Sequence, residues 1–302
     1  MIVAIILQYH QQSFECFQEK MATIDQEILD FDWENCIEII KSHGKGKNFA
    51  VMLLNHCFDT ILSKFVSMDQ FFETGKYQNF QQIWNNCFVR MTVDGGTNSL
   101  YNMQQSNGNL FDPTFITGDF DSIQSKVMDH FKQCDGKIKI LHTPDQNHTD
   151  FEKALFILDE QVLNSANIAA TNTALDCILV FFSNSGRIDQ YLSILSTVHN
   201  FTNNREKFPP IILVDLVDSI SFVLKKGSHR IPKISDSKWC SLIPLCGPVK
   251  IKTIGLHWNL DKNSMLEFGK FISSSNEFDQ NNNTVMVDVD EKPVLFSTEF
   301  HL

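Results

Sequence analysis

The stretch Cys87-Phe-Val-Arg-Met-Thr-Val93, running straight into Asp94-Gly95-Gly96, decides how this chain is read. A short apolar run that stops on an acid and two glycines describes a buried strand ending in a tight turn. The arrangement recurs downstream. Phe115–Thr117 ends on Gly118-Asp119-Phe120-Asp121-Ser122, and Lys137–Leu141 leads into Thr143-Pro144-Asp145-Gln146, with Thr149-Asp150 just beyond. Open α/β sheets bind ligands outside the carboxyl ends of their parallel strands, where these acids fall. Carboxylates converging there repel one another unless a cation sits among them. Hard oxygen ligands suit Mg²⁺, which also binds substrate phosphates. The pattern therefore points first to magnesium-dependent phosphate chemistry.

Working outward, Phe49–Leu54, Cys177–Phe182 and Ile211–Val214 read as further buried strands, and Phe151–Leu163 and Asp189–Phe201 as helices. Strands separated by helix-length segments predict an α/β fold with a doubly wound, mostly parallel sheet. Beyond Asp215 the texture changes to short β-type runs such as Ser219–Leu224, Lys270–Ser273 and Thr284–Val289, with Gly, Pro or Asn between many of them. That half predicts an all-β sandwich or barrel. The expected organisation is an extension over 1–45 without an assignable role, an α/β domain over 46–215 and a β domain over 216–302. The polar-aromatic stretch Ser67–Gln82 reads as an insertion.

Composition narrows the function classes. The 302 residues carry a formal net charge of −11 without a long Lys/Arg stripe, which argues against a nucleic-acid groove. The eight cysteines are scattered without a C-x-x-C pair, so neither zinc spacing nor a disulfide scaffold is expected. Reduced thiols and a cytoplasmic location follow as the expectation. The apolar opening Met1–Leu7 is too short to span a bilayer and lacks the basic flank of a secretory signal, so no membrane partner is expected.

Each motif has a plain structural reading beside the chemical one. The glycines after Asp94 let a backbone approach a phosphate closely, with Asn98 facing the same turn, but many strand ends look alike. Asp119 and Asp121 project to one side if their segment is extended; alternatively Asp121 or Ser122 caps a helix over Ile123–Phe131. Thr149 or Asp150 can cap the next helix, with Lys153 one turn on. Gly186-Arg187-Ile188-Asp189-Gln190 places a guanidinium fit for phosphate oxygens, or for a structural ion pair with Asp189 or Asp215. In Gly255-Leu256-His257-Trp258-Asn259-Leu260, Trp258 is either a core aromatic or an exposed indole able to stack on a cationic heterocycle.

Taken in order, these segments resemble the eukaryotic thiamine pyrophosphokinases from Asn48 to the C-terminus. The resemblance rests on Asp94-Gly-Gly-Thr-Asn98, Gly118-Asp-Phe-Asp-Ser-Ile123, Thr143-Pro-Asp-Gln146 with Thr149-Asp-Phe151, Gly186-Arg-Ile-Asp-Gln190, Gly255–Leu260 and Ser273-Ser-Ser-Asn276. It implies pyrophosphoryl transfer from ATP to thiamine with Mg²⁺, in a homodimer whose active site lies between the α/β domain of one subunit and the β domain of the other. By motif, Asp94, Asp119, Asp121 and Asp150 would be the catalytic, metal-holding carboxylates. Asn98, Gln146, Thr149, Lys153 and Arg187 would hold ATP and pyrophosphate. Asp189, Gln190, Trp258, Ser275 and Asn276 would hold thiamine. The chain departs from the family at Phe182-Ser183-Asn184-Ser185, where a glycine pair is usual, and at Thr97, where alanine is usual. The competing readings are a Mg²⁺-dependent phosphohydrolase, which leaves Trp258 and the β half without a task, and a non-catalytic thiamine or nucleotide binder.

Overall fold

The computed structural model describes residues 30–302 except 66, 108, 135, 165–173, 185, 186, 206, 235, 236 and 262. Met1–Leu7, most of the expected extension, Ser185 and Gly186 thus lie outside the described residues. In chain order the described strands are β1 Phe31–Asp32, β2 Phe49–Leu53, β3 Val89–Val93, β4 Phe115–Gly118, β5 Lys139–His142, β6 Cys177–Phe182, β7 Ile211–Asp215 and β8 Ser219–Leu224. They continue with β9 Gly227–Pro232, β10 Cys240–Pro244, β11 Val249–Ile254, β12 Met265–Leu266, β13 Ser273–Asn276, β14 Thr284–Val289 and β15 Val294–Glu299.

Ten of them form one sheet in the order β13-β10-β15-β8-β7-β6-β2-β3-β4-β5. From β7 to β5 every neighbour is parallel, as the strand–helix alternation predicts. At Asp215 the pattern turns antiparallel, through β8, β15, β10 and β13. A second sheet, β1-β9-β14-β11-β12, completes the β half. The central strands are apolar throughout because both faces are covered. Phe49, Val51 and Leu53 of β2 join one core with Phe80, Trp84 and Leu100, while Ala50, Met52 and Leu54 join another with Leu155, Leu158 and Val198. Those last residues belong to the helices Asp150–Leu158 and Ile188–Asn204. The strand expected over Lys270–Ser273 is absent: Lys270 and Phe271 both donate to the Glu267 carbonyl in a tight turn, and β13 starts only at Ser273.

The segment just before residue 45, left without a role above, is part of the architecture. Its strand β1 pairs in parallel with β9, and the helix Glu34–Lys41 buries Cys36, Ile37, Ile39 and Ile40. Trp33 stacks on Phe222 at 4.1 Å and donates its indole N–H to Nδ1 of His229 at 3.2 Å. Nδ1 is therefore the bare nitrogen, and Nε2 donates to the Lys225 carbonyl at 2.8 Å. Ser67–Gln82, read as an insertion, contains the helix Met68–Phe72 and the start of the helix Gly75–Asn86; Phe71, Tyr77 and Phe80 are buried in the core.

Burial holds the His229 imidazole neutral, lowering its pKa from 6.5 to about 4. The unfolded chain binds this proton below pH 6.5 and the folded one only below about 4. Stability is therefore fully present above pH 6.5 and drops by about 3 kcal/mol as pH falls through that window. Urea midpoints across pH 4–7 check this. His229→Gln, which keeps a hydrogen-bonding side chain but does not titrate, is expected to flatten that slope. An unchanged slope in the variant would place the acid sensitivity elsewhere.

Candidate active site

The parallel strands run outward in both directions from β2: β3, β4 and β5 lie on one side, β6 and β7 on the other. The strand order reverses between β2 and β6, and a crevice opens at the carboxyl end of such a reversal point. A cleft of about 520 Å³ lies there, lined by Asn55, Asp94, Asp119, Asp121, Asp150 and Gln190 among others.

Within it, Asp94, Asp119 and Asp121 each bring a carboxylate oxygen to within 4.8 Å of the other two. Their backbone is not the extended segment that one of the two alternatives above supposes. Phe120 has φ 68° and Asp94 φ 44°, both in the left-handed region that costs a residue with a side chain of order 1–3 kcal/mol. Phe120 turns onto the His142 ring, 5.1 Å away, while Asp119 and Asp121 converge. The helix-cap alternative does not hold: the following helix is Ser125–Gln133, its N-cap is Gln124, and no side chain caps it. Asp121 is left exposed, accepting from the Ser122 hydroxyl at 2.8 Å.

The environment separates the acids electrostatically. Burial raises the pKa of Asp94, reinforced by the charge of Asp150 and opposed by hydrogen bonds from Ser122 and Gly95. Gln146 donates to Asp119 Oδ2 at 3.1 Å and is the main reason that this acid titrates below its usual range. A trio of hard carboxylate oxygens in which Asp94 is charge-averse and Asp119 charge-stabilised fits a divalent cation.

Asp150, expected as a fourth ligand, lines the same cleft and is engaged by neighbours there. Its Oδ1 pairs with Lys153 Nζ at 2.8 Å and accepts from the Asp119 N–H at 3.2 Å. Lys153 is buried and spends its other donors on the carbonyls of Thr143 and Asp145, at 2.7 and 2.9 Å. The lysine therefore fastens the 143–150 loop rather than offering a free ammonium. Thr149 is the N-cap, accepting from the Glu152 N–H at 3.2 Å. Asn98 is likewise engaged: it donates to the Ser122 carbonyl at 2.7 Å and accepts from the Gln124 N–H at 3.0 Å, stapling the loop that carries Asp119 and Asp121.

Arg187 and Asp189 form an exposed ion pair at the start of the helix Ile188–Asn204, and neither lines the cleft; Gln190 does. Trp258 is 55% exposed and also outside the cleft of its own chain. Its backbone is clamped by buried Asn276, which accepts from the Trp258 N–H at 3.2 Å and donates to its carbonyl at 2.8 Å. Ser275 is exposed beside that clamp. Sequence reasoning missed Asn55, which follows β2 and lies against Gly95. It also missed Ser193 on the cleft-facing side of the Ile188–Asn204 helix. The strand-end position of Asn55, matching that of Asp94, was the available signal.

The fold and the acid trio define a phosphate-handling α/β protein with an appended β domain, and comparison with known proteins specifies which. Residues 80–209 match the family described as thiamin pyrophosphokinase, catalytic domain, and 228–294 the one described as thiamin pyrophosphokinase, vitamin B1 binding domain. Thiamin pyrophosphokinase 1 of Caenorhabditis elegans is 31% identical over 201 residues, covering 65% of this chain and 74% of the relative. Thiamine pyrophosphokinase 3 of Oryza sativa subsp. japonica is 30% identical over 208 residues, covering 65% and 73%. Among solved structures, yeast thiamin pyrophosphokinase superposes with a TM-score of 0.66 at 18% identity, covering 90% of this chain and 92% of that one. The Candida albicans structure gives 0.62 at 20% identity, covering 83% and 90%. The chain belongs to the thiamine pyrophosphokinase family.

Proposed function

We propose that this chain transfers the pyrophosphoryl group of ATP to thiamine, giving thiamine diphosphate and AMP, with Mg²⁺ as the metal. In this reaction the thiamine hydroxyl oxygen bonds to the β-phosphorus, the bond from that phosphorus to the α-phosphate oxygen breaks, and the hydroxyl proton is lost. The observation that carries the reading is the convergence of Asp94, Asp119 and Asp121 within 4.8 Å at the carboxyl edge of the sheet. Mg²⁺ held there would neutralise the polyphosphate oxygens as charge shifts to AMP. Asp121, exposed and without a cationic partner among the described residues, is the proton acceptor we assign, because Asp150 Oδ1 is already engaged by Lys153 and by the Asp119 N–H. Asn98, Gln146, Thr149 and Lys153 act by shaping the acid-bearing loops. We assign residues 46–215 to nucleotide and phosphate, and 216–302 to thiamine.

The experiment is to incubate the protein with ATP, Mg²⁺ and thiamine and to separate the products. AMP and thiamine diphosphate in equal amounts are expected. ADP with thiamine monophosphate, nucleotide breakdown indifferent to thiamine, or no turnover at all would each reject the reading. Among the described residues no helix is long and apolar enough to cross a bilayer. A cytoplasmic location remains part of the proposal.

We further infer that the working unit is a homodimer in which Trp258 and Ser275 face the acid cleft of the partner subunit, with Asn276 holding Trp258 from behind, Gln190 on the cleft wall, and the Arg187–Asp189 pair beside it, reaching substrate only by turning inward. In support, Trp258 is rigidly held yet exposed, and it is absent from the cleft of its own chain. Trp258→Ala is expected to raise the KM for thiamine at least about tenfold, with the KM for ATP little changed, because stacking on a cationic ring when desolvated is worth about 2 kcal/mol. Co-expressing Asp121→Asn with Trp258→Ala distinguishes the arrangement: a shared site regenerates one intact centre per mixed dimer. If each site lay within one chain, the mixture would show only the sum of the two variants.

A further inference from the structure

A second cavity, of about 680 Å³, lies at the opposite edge of the parallel strands from the acid cleft. Its walls come from segments at this end of the sheets: Leu175 just before β6, Pro209 and Pro210 just before β7, Phe31 in β1 and Trp33 just after it. Thr202 and Arg205, from the far end of the Ile188–Asn204 helix, close another side. The volume falls within the roughly 300–1,000 Å³ of small-molecule sites.

Its chemistry is that of an apolar chamber with a cationic rim. Phe31 and the neutral His229 ring stack at 4.7 Å, and Trp33, Leu175 and Val223 continue the apolar surface. Arg205 is already committed: it pairs with Asp159, and its guanidinium lies 4.8 Å from the Phe201 ring centroid. Lys207 and Lys225 also line the cavity, and neither forms an ion pair among the described residues. Lys225 Nζ sits 4.7 Å from the Phe31 centroid, so one ammonium is held over the aromatic wall. Among the described residues, these two cations beside the Arg205–Asp159 pair give the rim of an apolar cavity a positive balance on a chain of net charge −11. A neutral apolar occupant would leave them unanswered. A polyphosphate would need many donors, and Pro209 and Pro210 bring no N–H to the wall.

We propose that this cavity binds a small amphipathic monoanion, with its apolar body against Phe31, Trp33 and Val223 and its carboxylate or other singly charged head between Lys207 and Lys225. The site is distinct from the acid cleft, and the proposal does not depend on the reaction assigned there. Calorimetric titration of the full chain with decanoate tests it, with decanol and decyltrimethylammonium as neutral and cationic probes of equal chain length. Saturable decanoate binding at one site per chain is expected, at least tenfold tighter than either control. The double variant Lys207→Gln/Lys225→Gln is expected to weaken it at least tenfold while unfolding at the wild-type temperature. Thr202→Trp, which fills the chamber from the helix side, is expected to abolish it. Absence of binding, equal affinity for decanol, or affinity indifferent to both variants would overturn the proposal.

Discussion

Asp121→Asn is expected to lower kcat by about 10³-fold while leaving thermal unfolding where it is in the parent chain. The two halves of that expectation have separate physical grounds. Asp121 is exposed, so removing its charge relieves no burial, and asparagine keeps an oxygen to accept the Ser122 hydroxyl now bound at 2.8 Å. What disappears is one of three carboxylates that approach within 4.8 Å, and with it both a ligand to the cation and the acceptor proposed for the thiamine proton. Losing one preorganised electrostatic contact to a developing charge costs about 3–4 kcal/mol, and each 1.36 kcal/mol is a decade in rate. Asp94→Asn would be a poorer probe, because Asp94 is buried with a raised pKa and its neutralisation also removes a desolvation cost. The measurement is steady-state kcat beside a melting curve at saturating Mg²⁺. A variant within tenfold of the parent rate would remove Asp121 from the metal and proton-accepting roles.

The legibility of this chain follows the range of the interactions involved. Strands such as Cys177–Phe182, Ser219–Leu224 and Thr284–Val289 were readable to the residue, because burial forces a continuous or alternating apolar run and turn residues bound it. The acids were readable because they end strands, and Asp94, Asp119 and Asp121 do converge. Their partners were not. That Lys153 is consumed by Thr143, Asp145 and Asp150, or that Asn98 reaches across to Ser122 and Gln124, depends on how two loops meet, and residue order does not encode that meeting. Phe31 and Trp33 were opaque for a similar reason. A two-residue strand has no periodicity to detect, and its register on His229 is set by a partner about two hundred positions away. Lys270–Ser273 misled because a β-like composition was overridden by a turn at Gly269, whose φ is 82°.

The largest stability effect is expected from the motif that opens the site, through its second glycine. The pair Gly95-Gly96 invites a reading in which bare backbone admits a phosphate, but the structure gives the glycines different neighbours. A Cβ on Gly96 would stand 2.2 Å from the Leu53 carbonyl oxygen and 2.9 Å from its carbon, both of them main chain in β2. That strand is hydrogen-bonded to β3 on one side and β6 on the other, so it has nowhere to retreat. A Cβ on Gly95 would meet only the Asn55 side chain, at 2.2 Å from its oxygen, and that exposed residue can rotate away. Gly96→Ala is therefore expected to cost about 3 kcal/mol or more, the upper range for overpacking against a rigid neighbour, and to displace the helix Gly96–Asn107 that follows Asp94. Gly95→Ala is expected to cost under about 1 kcal/mol and to act mainly on the cleft, by moving Asn55. Urea unfolding of the two variants decides the matter. If their midpoints coincide, close approach of helix to strand is not what the second glycine provides, and the pair must instead be there for the ligand.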